Sequence, residues 1–129
     1  MESQFRSDLL AWLAADPLLA AELNLVAEEA PQAASPPWLG VVASASAGWG
    51  AKDAPGREVR FALEMICRGD DPQAIAALTE ALERRIATIP AAQPGYRVVV
   101  TQFLRSRAER RAGNIRAVLT EYRFLLLAN

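Results

Sequence analysis

Apolar positions first recur at helical spacing. Phe5, Leu9, Trp12 and Leu13 share one stripe after Ser3 and Gln4, which predicts an amphipathic helix over 4–15. Such a helix either covers one face of a sheet or serves as a docking element. Asp16-Pro17 then pairs an N-cap residue with proline at the first helical position, so a second short helix follows with Leu19 and Leu23 inward. Residues 28–37 read Glu-Glu-Ala-Pro-Gln-Ala-Ala-Ser-Pro-Pro, an extended and exposed connection too short for a domain linker.

The spacing then changes to two. Trp38 to Ser46, with Val41 and Val42 central, predicts a first strand. Gly48, Gly50, Pro55 and Gly56 mark a loop over 47–56 that carries Trp49. A tryptophan there is either a partner contact or local packing. The clearest strand covers 57–68. Val59, Phe61, Leu63, Met65 and Cys67 alternate with Glu58, Arg60, Glu64 and Arg68, with Ala62 and Ile66 between the charges.

Asp71 followed by Pro72 opens a helix whose stripe of Ile75, Leu78, Leu82 and Ile86 runs to about Thr88. Arg84 and Arg85 suit its C-terminal dipole. Pro90 to Gly95 breaks the chain, and Tyr96 to Leu104 predicts a valine-rich strand. Arg105 to Asn114 reads as a charged hairpin ending in a Gly-Asn turn. Ile115 to Leu127 predicts the last strand, with Val118, Tyr122, Phe124 and Leu126 on one face. The predicted fold class is α+β, a mostly antiparallel sheet packed against helices in the order α-α-β-β-α-β-β, within one domain spanning 1–129.

Composition narrows the chemistry. Apolar residues make up 52% of 129 residues, enough for a real core. With 14 basic and 15 acidic residues the net charge is −1, which creates no global attraction to nucleic acid or membrane. The sequence contains no histidine, which excludes His-based triads and imidazole zinc sites. The single cysteine, Cys67, falls on the apolar face of its strand and reads as a packing residue. Gly48-Trp49-Gly50 lacks the spacing of a phosphate-binding loop, and helix capping accounts for the adjacent Asp70 and Asp71. No catalytic, cofactor-binding or metal-ligating residue is assigned. The N-terminus lacks the basic and apolar blocks of a secretory signal, and the run Phe124 to Ala128 is too short to span a bilayer. The expectation is a soluble chain made in the cytoplasm. Arg105, Arg107, Arg110 and Arg111 surround a single acid, Glu109. They either meet phosphates or an acidic partner surface, or form a solvated tip.

The layout resembles the tail-terminator or tail-completion proteins of long-tailed phages and gene transfer agents. The landmarks are the proline entry Ser35-Pro36-Pro37-Trp38-Leu39, the alternating strand and alanine-rich helix from Val59 to Ile89, and a final strand carrying Tyr122-Arg123-Phe124. The resemblance implies a non-enzymatic, homo-hexameric ring without cofactors. That ring caps the tail tube protein, stops its polymerisation and joins a head–tail connector protein. DNA would pass through without specific binding, no membrane would be involved, and the protein would end in the released particle. The resemblance matches no individual interface position; from the local reading of the residues the protein-interface candidates are Trp49, Arg105, Arg107, Arg110 and Arg111. The alternative is a small-molecule or regulatory binding module, monomeric or dimeric, with a pocket between helix 72–88 and the sheet.

Overall fold

The computed structural model describes residues 1–29 and 33–129. Part of the connection expected at 28–37 therefore lies outside the described residues. The chain opens with α1 (Glu2–Ala14) and α2 (Pro17–Glu22), then β1 (Leu25–Ala27), β2 (Trp38–Ala51) and β3 (Ala54–Arg68). It continues with α3 (Pro72–Ala87), β4 (Ala92–Gln93), β5 (Tyr96–Arg111) and β6 (Ile115–Ala128). Among the described residues the strands form one six-stranded sheet in the order β1-β2-β3-β6-β5-β4. Only the β1–β2 pair is parallel there. The expected α+β class and the order of its main elements hold, with β1 and β4 added as edge pieces too short to show a period.

Both proline-led helices start as their sequences dictate. Asp16 accepts from the backbone N–H of Leu18 and Leu19, and Asp71 accepts from that of Gln73 at 2.9 Å. These bonds satisfy donors that the first helical turn leaves unpaired.

The core lies between the helices and one face of the sheet. Alternation along β3 sends Val59, Phe61, Leu63, Met65 and Cys67 to that face, opposite Phe124, Tyr122, Thr120, Val118 and Arg116 of β6. α1 buries Phe5, Leu9, Leu10 and Leu13 against it, as a covering helix does. Phe5 is the hub: its ring lies 4.7 Å from Phe124 and 5.7 Å from Phe61, both edge to face. Tyr96 Oη donates to Asp8 Oδ2 at 2.7 Å, tying α1 to the start of β5.

Two sequence expectations need correction. The segment 47–56 is not a loop: β2 and β3 continue through it as a hairpin that turns at Lys52 and Asp53. The glycines and Pro55 read as breakers, but β6 pairs with Gly56 and Arg57 from the far side and holds them in the sheet. Gly56 belongs there because a Cβ would sit 2.3 Å from the Leu126 carbonyl oxygen and 2.9 Å from Trp49 Cε3. Likewise Arg105 to Arg111 is strand, paired residue by residue with Glu121 to Ile115, and the turn is confined to Ala112–Asn114. Gly113 and Asn114 adopt positive φ in that turn.

Candidate functional site

The sheet face turned away from the helices carries a charged ladder. Alternation places Glu58, Arg60 and Glu64 of β3 there, with Glu121 and Arg123 of β6 and Gln102, Arg105, Arg107, Glu109 and Arg111 of β5. Glu58 accepts from Arg60 at 3.1 Å and from Arg123 at 3.2 Å. These two guanidinium groups, Arg60 first, hold its carboxyl below the usual range. Arg123 also donates to Gln102 at 3.1 Å. Arg105 pairs with Glu121 across the β5–β6 ladder. Arg111 donates to Glu64 and to Glu109, both at 2.7 Å, and these carboxylates, Glu64 first, push its pKa up. Within the ladder lie small and aliphatic positions such as Ala62, Ile66, Ala117 and Leu125, all buried.

The structure separates the candidate interface residues. Trp49, Arg105, Arg107 and Arg111 share the helix-free face, whereas Arg110 lies opposite Arg116 on the helix face. Trp49 stands near the β2–β3 turn, where Gly56 is level with Leu127. Arg111 stands at the other end of the sheet, opposite Ile115, which is level with Arg68. Trp49 packs over Gly56 yet stays 37% exposed. Arg105 and Arg111 have carboxylate partners within the chain. Arg107 and Arg110 have no ion pair among the described residues.

On the helix face, β5 runs beyond the cover of the helices. An open groove of about 480 Å³ lies between α3 and the β5–β6 hairpin, lined by Pro72, Ile75, Thr79, Ala108, Arg110 and Val118 among others. It sits where the small-molecule alternative places a pocket. Further along α3, Phe103 is 48% exposed and meets Tyr122 edge to face at 5.6 Å. Sequence reading passed over Phe103 and its neighbour Leu104. The signal that could have found them is a pair of large apolar residues entering a strongly charged strand. The partners of the arginines were not legible, because Glu64 and Glu121 reach them only through strand register.

Comparison with known proteins follows the same outline. A protein-family model described as tail completion protein gp17 matches residues 7–126. No curated protein matches the chain. A chain of the solved structure titled "Virion of native gene transfer agent (GTA) particle" has the same fold, with a TM-score of 0.79 at 19% sequence identity. That match covers 98% of this chain and 96% of the other.

Proposed function

This chain belongs to the tail completion protein gp17 family, and from that premise we propose that it is a ring subunit capping the tail tube of a phage-like particle and joining it to the head. The observation that carries the reading is the family match over residues 7–126, nearly the whole chain. The likeness of its fold to a chain from a gene transfer agent virion supports the same setting.

The architecture fits such a role. The β2–β3 and β5–β6 turns lie at opposite ends of one continuous sheet. A subunit with its strands along the tail axis presents one turn to the tube protein and the other to the connector. Trp49 serves one junction and the arginines around Arg110 the other, where guanidinium groups meet acidic neighbours and set orientation. Internal pairing of Arg105 and Arg111 lowers the free positive charge on the helix-free face. If that face borders the channel, DNA meets a largely neutralised ladder rather than a row of cations. The proposed ring is a homo-hexamer without catalytic function, assembled in the cytoplasm and released with the particle.

Mass measurement of the purified protein, with negative-stain images alone and after mixing with tail-tube protein, tests this reading. The expected result is a closed ring that sits on tube ends and halts their growth. A monomer or dimer that ignores the tube and takes up a small molecule in the α3 groove would favour the binding-module alternative.

A further inference from the structure

The four long strands alternate in direction from β2 through β3 and β6 to β5. Each outer strand is covered only at one end. β1 pairs with Trp38–Gly40 of β2, and β4 pairs with Tyr96 and Arg97 of β5. The Val98 N–H also donates to the Ala91 carbonyl at 2.8 Å, so among the described residues 41–51 of β2 and 99–111 of β5 are left as free sheet edges. At about 3.3 Å per residue each is more than roughly 30 Å long, and unpaired backbone of that length is a template for another strand. Uncovered large apolar side chains gather on the same strands: Val42 and Trp49 on β2, Phe103 and Leu104 on β5.

We propose that β5 of one copy pairs antiparallel with β2 of the next, so that the sheet continues from subunit to subunit around the ring. The inference rests on the ring reading and names its contact. Three observations select this occupant. First, β2 and β5 run in opposite directions, so a copy carried sideways along the sheet meets its neighbour in the antiparallel arrangement. Second, the edges differ in charge. β2 contains no ionisable residue from Trp38 to Ala51; Glu2, Glu28, Glu29 and one cation, Arg6, lie beside it, with Arg6 pairing to Glu2 and Glu28. β5 carries Arg105, Arg107, Arg110 and Arg111 against one acid, Glu109, and Arg107 and Arg110 have no ion pair among the described residues. Third, two β5 edges set against each other would oppose arginine to arginine, which disfavours a two-fold contact. A β5-to-β2 contact is heterologous, the kind that generates rings.

Proline tests the contact, because it removes one backbone donor and is tolerated on an edge only where that donor faces outward. Of any two neighbouring residues in a regular strand, one points its N–H outward. Ala45→Pro and Ser46→Pro therefore contain one variant that keeps the monomer fold, and so do Arg107→Pro and Ala108→Pro. The folded variant of each pair should be monomeric by mass. Mixed together, the two should form a one-to-one complex that stops there, since one copy still offers β5 and the other β2. Hydrogen exchange on the unmodified chain gives an independent reading: the outward-pointing amides in 41–51 and 99–111 should slow by roughly tenfold or more on assembly. A ring that forms with both segments still exchanging freely, or with both folded proline variants, overturns the contact while leaving the ring intact. A chain that stays monomeric at every concentration, and with tail-tube protein, overturns the ring and the contact together.

Discussion

Trp12 and Arg85 exchange hydrogen bonds: Trp12 Nε1 donates to the Arg85 carbonyl at 2.8 Å, and Arg85 Nε donates to the Trp12 carbonyl at 2.9 Å. The Arg85 guanidinium also lies 3.4 Å from the Trp12 ring centroid. The last turns of α1 and α3 are thereby locked together. Arg85→Ala should cost about 2 kcal/mol, the sum of one charged hydrogen bond and a cation–π contact. Arg85→Lys should lose much of the same energy, because an ammonium lacks the planar stacking surface. Urea unfolding of the three proteins checks both values. Equal stability of all three would show that the contact is incidental.

Tyr96 and Tyr122 give the fold an alkaline limit. Burial raises the pKa of both phenols, with the hydrogen bond to Asp8 adding to the effect at Tyr96 and the Glu83 charge at Tyr122. A pKa higher in the folded than in the unfolded state means that the unfolded chain releases its proton first. The stabilisation is complete below about pH 10, the ordinary phenol value, and is lost as pH rises toward the folded values. Thermal melts from pH 8 to 11 should show a decline setting in near pH 10. Replacing both tyrosines by phenylalanine should flatten that decline.

Cys67 should behave as a core atom. It is 6% exposed on the helix-facing side of β3, and burial pushes its thiol up, away from the reactive thiolate. Labelling by a thiol reagent should be slow in the folded protein and immediate in denaturant. Cys67→Ala should cost on the order of 1 kcal/mol in stability and leave assembly intact. Rapid labelling of the native chain would refute the assignment.

The arginines of β5 divide by their partners. Arg111 is held by two carboxylates, so Arg111→Glu should lower monomer stability by up to about 1 kcal/mol through repulsion with Glu64 and Glu109. Sequence alone treats Arg110 and Arg111 as equally solvated, and there the pair Arg110→Glu and Arg111→Glu would spare the monomer. The cleaner probe is Arg107→Glu with Arg110→Glu, both without an ion pair among the described residues. That variant should melt like the parent but assemble more weakly. The loss should shrink as salt rises, because added ions screen the attraction that the charge reversal turns into repulsion. Sedimentation at low and high salt separates this outcome from a merely solvated surface, for which assembly would not change.

The local determinants were written in the sequence. Asp16-Pro17 and Asp71-Pro72 cap helices wherever they occur, because the carboxylate reaches the first free N–H groups and proline has none to lose. Alternation along 57–68 placed Cys67 and its neighbours on the core face, because a strand turns successive side chains to opposite sides. Tertiary structure decided what depended on a distant partner. Gly48–Ala51 and Ala54–Gly56 are strand because β2 and β3 pair with each other up to the turn at Lys52 and Asp53, with β6 joining from Gly56 onward, and Arg105 to Arg111 is strand because β6 pairs with it. The ion pair of Arg111 with Glu64 joins residues that are far apart in the chain and meet only across strand register. The free edges of β2 and β5 likewise follow from strand order, because no residue records in its own neighbourhood that its strand will flank the other long strands with only a two- or three-residue piece beyond it.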